Sequence, residues 1–129
     1  MTATILIAED ELMNMKLLRD LLQKLGYDTV EATDGEQGVE MTKRVKPALV
    51  LMDIMMPKMD GLQATRVLKA DASTKNIPVV AVTAFAMTGD KESALEAGCD
   101  AYISKPINIH QLLKTLNQFL AVQPVQKIE

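Results

Sequence analysis

The chain has 129 residues, 48 % hydrophobic and 24 % charged, which is the size and balance of one globular domain rather than of a disordered segment. Its formal net charge is −3 and no stretch gathers Lys and Arg on one face, which argues against nucleic acid or an anionic membrane as primary partner. No apolar run approaches the length of a membrane span, Met1-Thr2-Ala3-Thr4 does not begin a signal peptide, and the single cysteine, Cys99, cannot close an internal disulfide; a reducing cytoplasm is the expected setting.

Along the chain, short apolar runs alternate with longer segments of helical period. Thr4-Ile5-Leu6-Ile7-Ala8 reads as a buried strand, followed by a helix from Leu12 to Leu25 that Gly26 closes. Thr29-Val30-Glu31-Ala32 is a weaker strand, and Asp34-Gly35 leads into a helix of about Glu36 to Arg44 that must stop before Pro47. Ala48-Leu49-Val50-Leu51-Met52 is the most apolar strand, after which Asp60 caps a helix from Leu62 to Ala70. Pro78 opens the strand Val79-Val80-Ala81-Val82, and a helix follows from Thr88 to Ala97 with Gly98 as its stop. Ala101-Tyr102-Ile103-Ser104 is the fifth strand, and Asn108 caps a last helix to about Leu120. Residues 1–122 are thus expected to form one domain, with 123–129 as a short polar tail.

Five β–α units with strands apolar on both faces predict an α/β fold, a five-stranded parallel sheet with helices on both faces in the doubly wound manner. Ligands of such sheets bind at the carboxyl ends of the strands. Glu9, Asp10 and Glu11 follow the first strand, Asp53 the third, Thr83-Ala84 the fourth and Lys105-Pro106 the fifth. Singly, each has an ordinary explanation: Asp10 as a helix cap, Thr83 as a strand-end residue, Lys105 as a solvated charge. Together, the carboxylates repel one another unless a cation offsets them, and an all-oxygen donor set favours Mg²⁺ over zinc. A lysine and a hydroxyl on the same rim suit an incoming phosphoryl group.

Over residues 4 to about 120 the sequence resembles the receiver domains of bacterial two-component response regulators. Glu9-Asp10, Asp53, Thr83 and Lys105 fall where that family keeps its acidic pair, acceptor aspartate, switch hydroxyl and lysine. Met56-Pro57-Lys58-Met59-Asp60-Gly61 is similar to the family's loop after the acceptor, and Tyr102 stands at its aromatic switch position. Within the family, Asn14-Met15-Lys16-Leu17, Val82-Thr83-Ala84-Phe85-Ala86-Met87 and Tyr102-Ile103-Ser104-Lys105-Pro106-Ile107 look most like the single-domain cell-division regulators. One departure stands out: the commonest pair after the first strand is Asp-Asp, and here its first member is Glu9.

The resemblance implies that Asp53 takes a phosphoryl group from the phosphohistidine of a sensor histidine kinase. It implies Mg²⁺ held by Asp10, Asp53 and the Met55 carbonyl, with Glu9 contributing through water. Lys105, Thr83 and the Ala84 amide would hold phosphoryl oxygens, and the Lys105–Pro106 bond would be cis. Asp34, Asp60 and Asp100 read as turn or cap residues, Cys99 as a buried small residue and His110 as a surface residue. At roughly 100° per residue, Leu17, Leu18, Leu21 and Leu25 share one face of the first helix, the expected core face. Leu12 and Met15 are then expected to be exposed beside the acid pocket, where with Ile107 they would dock the partner. The expected output is a shape change of residues 86–97, 101–104 and 108–120, with a long-lived phosphorylated form because Met55 and Phe85 cannot orient a water. Three alternatives remain. One is a relay to a histidine phosphotransfer protein, the second a receiver-shaped binding module that is never phosphorylated. The third, an enzyme or electron carrier of related topology, fits worse: a dehalogenase-type phosphatase needs an Asp where Met55 stands, and Glu9-Asp10 would repel a flavin phosphate.

Overall fold

Five apolar runs become five strands because each is flanked by turn-forming residues and rich in β-branched or aliphatic side chains. They are β1 (Thr4–Ala8), β2 (Asp28–Ala32), β3 (Leu49–Asp53), β4 (Val79–Thr83) and β5 (Ala101–Ser104). Between and after them lie α1 (Leu12–Lys24), α2 (Gly35–Val45), α3 (Gly61–Ala70), α4 (Asp90–Ala97) and α5 (Ile109–Phe119). The structure, a computed structural model, describes residues 3–84 and 90–120. The expected tail 123–129, Phe85 and the expected start of the fourth helix at Thr88 lie outside the described residues.

All strand pairings are parallel, and the sheet order is β2-β1-β3-β4-β5. The two-residue period of the strands divides the core between the faces. Ile5, Ile7, Leu49, Leu51, Val80 and Val82 pack with Leu18 and Leu22 of α1 and Leu112 and Leu116 of α5. Leu6, Ala8, Val50, Met52, Val79 and Ala81 pack on the other face with Val39 of α2, Ala64 and Leu68 of α3 and Ala94 of α4. The expected doubly wound sandwich is therefore the observed fold.

Local signals fix the helix ends. Asp34 Oδ1 accepts from the Gln37 amide (2.8 Å), and Asp60 with Gln63 forms a reciprocal capping box on α3. Asn108 Oδ1 accepts from the amides of His110 and Gln111, at 2.8 and 3.1 Å. The cap of α1 is Glu11, whose Oε1 accepts from the Asn14 amide (2.9 Å), and this relieves Asp10 of the capping duty the sequence left open to it. Cys99 is buried and His110 exposed.

One face was assigned wrongly from the sequence. Met15 is buried (3 % exposed) in the α1–α5 core, whereas Leu17, expected inside, is 57 % exposed. The buried stripe is Met15, Leu18 and Leu22, at the i, i+3, i+7 spacing of one helix face. Weighting leucines alone drew the inferred centre of that face away from Met15. Leu12 is 76 % exposed, as its position on the helix required.

At the opposite, amino-terminal edge of the sheet, Lys69 closes a separate network. Its Nζ donates to the carbonyls of Lys75 (3.1 Å) and Ile77 (2.8 Å) and to Oδ2 of Asp100 (2.9 Å). The same Asp100 oxygen accepts from the Val79 amide (2.8 Å), so α3, the strand β4 and the turn before β5 are fastened together. Gly98 carries φ of +109°, and a Cβ there would lie 2.8 Å from Cγ of Lys69, so the lysine stem passes under a position that favours glycine twice over.

Candidate functional site

In the sheet order, β1 and β3 are neighbours, yet the helix after β1 covers one face and the helix after β3 the other. The chain parts at that point and leaves a crevice at the carboxyl ends of the strands. Glu9 lies immediately after β1, its amide donating to the Ala32 carbonyl (2.9 Å), and its side chain is only 2 % exposed as a residue. Asp53 is the last residue of β3 and is also buried, while Asp10 is exposed at the mouth. Lys105 enters from β5: Nζ donates to Oε1 of Glu9 at 2.8 Å and lies 3.3 Å from Oδ2 of Asp53.

Two neighbouring carboxylates in a buried crevice make ionisation costly. Burial first, then the charge of Glu9, raises the Asp53 carboxyl to about 6, although Lys105 and the Met55 amide (3.2 Å from Oδ1) pull the other way. Burial alone would lower the Lys105 ammonium. Its hydrogen bond to Glu9 and the charges of Asp53 and Glu9 outweigh that and raise it. One carboxylate oxygen from each of Glu9, Asp10 and Asp53 falls within 4.8 Å of the others. Among the described residues, three formal negative charges thus face the single ammonium of Lys105. Hard oxygen donors in this number fit a small divalent cation such as Mg²⁺.

The loop after Asp53 is held close to the site by backbone packing. The Gly61 amide donates to the Ile54 carbonyl (2.9 Å), and a Cβ on Gly61 would collide with the Asp53 carbonyl oxygen. On the far side of the loop, a Cβ on Gly35 would strike the Met59 carbonyl oxygen. The Met55 side chain is exposed. The Ile54 amide donates to the Val82 carbonyl (3.1 Å) and the Lys105 amide to the Thr83 carbonyl (2.7 Å), tying the three strand ends into one rim. Thr83 is buried at the end of β4 and Ala84 next to it is exposed. The Lys105–Pro106 peptide bond is cis. Tyr102 is half-buried and packs against the core beneath α2, α3 and α4.

Beside the crevice, a groove of about 100 Å³ runs between α1 and the segment after β5, lined by Asn14, Leu17, Leu18, Lys105, Pro106 and Ile107. Of the three residues expected to dock a partner, Leu12 is exposed, Ile107 is half-buried in this groove, and Met15 is in the core. Leu17 and Asn14 occupy the position that the sequence reading gave to Met15. Counting methionine with leucine as apolar would have found them, since it moves the core face onto Met15, Leu18 and Leu22 and turns Leu17 outward.

Residues 5–117 match the family model of the response regulator receiver domain. The chain is 44 % identical over 120 residues to the polar-differentiation response regulator DivK of Brucella ovis, covering 93 % of this chain and 98 % of that one. Among solved structures, it is similar to the receiver domain of a sensor histidine kinase from Pseudomonas aeruginosa, which holds a magnesium ion coordinated in its active-site cleft. That match has a TM-score of 0.86 and 34 % identity, covering 92 % of this chain and 98 % of the other. A putative response regulator from Chloroflexus aurantiacus superimposes with a TM-score of 0.89 at 25 % identity, over 95 % of this chain and all of that one. No described helix is long and apolar enough to cross a membrane.

Proposed function

Since the chain belongs to the response regulator receiver domain family, we propose that it accepts a phosphoryl group on Asp53 from the phosphohistidine of a sensor histidine kinase and signals to a separate protein by changing shape. The observation that carries this reading is the charge imbalance at the strand ends: among the described residues, Glu9, Asp10 and Asp53 confront one paired ammonium, that of Lys105. An arrangement of that kind costs stability and is retained where a cation and a phosphoryl group complete it.

An oxygen of the Asp53 carboxylate attacks phosphorus, the O–P bond forms as the N–P bond breaks, and the donor imidazole departs. The buried crevice positions that oxygen at the end of a rigid strand. Lys105 meets a second phosphoryl oxygen, and Thr83 with the Ala84 amide meets a third. Asp10, Asp53 and the Met55 carbonyl would hold Mg²⁺, which supplies neutralisation of charge on the transferred oxygens. The donor's helical face would rest on Leu12, Leu17 and Ile107, which border the crevice with exposed or half-exposed apolar surface. A cytoplasmic setting, where such kinases present their histidine, and a role in polar differentiation like that named for the Brucella relatives, follow from the same reading.

Incubation with acetyl phosphate and Mg²⁺ followed by intact mass measurement tests it. The parent should gain one phosphoryl group and Asp53→Asn none, with both folded by circular dichroism. Stable labelling of Asp53→Asn at another residue would defeat the assignment.

A further inference from the structure

The outer face of α1 forms a hollow. Met13 and Leu17 are 72 % and 57 % exposed, and with Lys16 and Asp20 they stand at i, i+4, i+3 and i+7 of the helix. These four side chains, with Asn14, line a shallow groove of about 330 Å³. Four residues at that spacing make the hole into which a packed helix inserts one side chain, so the shape suits a helix. The charges on its rim are matched to each other. Lys16 Nζ donates to Oδ2 of Asp20 at 2.9 Å, both in solvent. Arg19, 3.7 Å from Asp20 on the far side, is drawn off to Glu31 at 2.8 Å.

The hollow calls for a helix with an apolar knob and, beside it, an acid and a base one turn apart. The same α1 on a second copy has that makeup. At roughly 100° per residue, Leu17 lies on one side of the seam through Met13 and Asp20, and Lys16 on the other. A two-fold axis normal to a pair of antiparallel helices keeps each of these sides facing its own counterpart. Placed near Leu17, that axis sets Leu17 of each copy into the hole of the other and Lys16 of each within reach of the other's Asp20. We propose that α1 is a self-association surface, on which two copies of this chain pack antiparallel with Leu17 as the knob and Lys16–Asp20 pairs crossing between them. The contact is a single helix face, below the roughly 800 Å² per partner of stable complexes, so the pair is weak, with Kd on the order of 0.1 mM. Leu17 also lines the groove beside Lys105, so a second copy and an incoming donor exclude one another. That consequence rests on the donor docking proposed above; the association itself does not.

Sedimentation equilibrium at about 1 mM protein, roughly tenfold above that Kd, tests it. No phosphoryl donor is present, so the result is independent of whether Asp53 is an acceptor. The average mass of the parent should rise well above that of one chain, toward two. Lys16→Asp and Asp20→Lys should each stay monomeric, because like charges then meet across the two-fold axis. An equimolar mixture of these two variants should associate as the parent does, since each acid again faces a base. Leu17→Ser, which removes the knob, should also stay monomeric. All three positions are exposed, so the fold is retained, as circular dichroism would check. A monomeric parent, charge variants that associate like the parent, a mixture no heavier than its components, or association that survives Leu17→Ser would each overturn the proposal.

Discussion

The two ends of the sheet each hold a lysine against an aspartate, in opposite states of charge balance. At the amino-terminal edge, Lys69 meets one carboxylate, Asp100, and two backbone carbonyls. The charges cancel and every partner is a fixed piece of the fold. At the carboxyl edge, Lys105 meets Glu9 and Asp53 with Asp10 close by, and the charges do not cancel. Burial is similar, with the lysine side chains 18 % and 15 % exposed, so burial does not separate the balanced network from the crowded one. The balance of charge does.

If Lys69 is purely structural, its loss should produce the largest change in stability and leave the acceptor untouched. Lys69→Met strands two carbonyls and a half-buried carboxylate, a cost of about 3 kcal/mol. The expected fall in Tm is roughly 10 °C for a domain of this size. Labelling by acetyl phosphate below the transition should match the parent. A large fall in labelling with unchanged Tm would reverse the roles assigned to the two ends.

The crowded end should show the opposite sign. The Asp53 carboxyl is raised to about 6 in the folded, metal-free protein, from an ordinary value of 3.8. The folded state therefore binds this proton more tightly than the unfolded state, and stability falls as pH rises between those two values. Below them both states are protonated and nothing is lost; above them the deficit is constant, about 3 kcal/mol. Asp53→Asn removes the charge, so without divalent cation it should be more stable than the parent near pH 8 and nearly equal to it near pH 4, as read by urea unfolding. Parallel curves for the two proteins would show that the crowding stores no strain.

The smallest effect on stability belongs to the apolar border of the crevice. Leu12→Ser with Leu17→Ser should shift unfolding by less than about 1 kcal/mol, because both side chains already face solvent. Transfer from a histidine kinase should slow while labelling by acetyl phosphate is spared. Equal loss with both donors would mean that these residues serve the crevice itself and not docking.

The element order, the parallel sheet and the ring of strand-end residues were legible in the sequence because each rests on local pattern: apolar runs, Gly and Pro punctuation, caps three residues from their targets. What was not legible depends on distance along the chain. Glu9 and Lys105 are 96 residues apart and Lys69 and Asp100 are 31 apart, and no local rule pairs them. The face of α1 was misjudged for another reason. Met15 fills a core position that leucine often fills, and a face drawn through the leucines alone left it outside. The cap that the sequence left open to Asp10 falls to Glu11 for a geometric reason: α1 begins at Leu12, so the position just before it is Glu11.

The two glycines around the loop after Asp53 have a mechanical consequence. Gly61 rests against the backbone of Asp53 and Ile54, and Gly35 against that of Met59, so the loop is wedged between main chains with no side chain to rotate out of the way. A wedge of this kind transmits force without yielding. The helix α4 across the crevice is seated on the same core through the methyl groups of Ala94 and Ala97, which give little area to resist sliding. If Asp53 is modified as proposed, stress entering there would be resisted by the stiff wall and taken up by the helix seated on alanines, so the direction of deformation would be set by where the glycines and alanines lie.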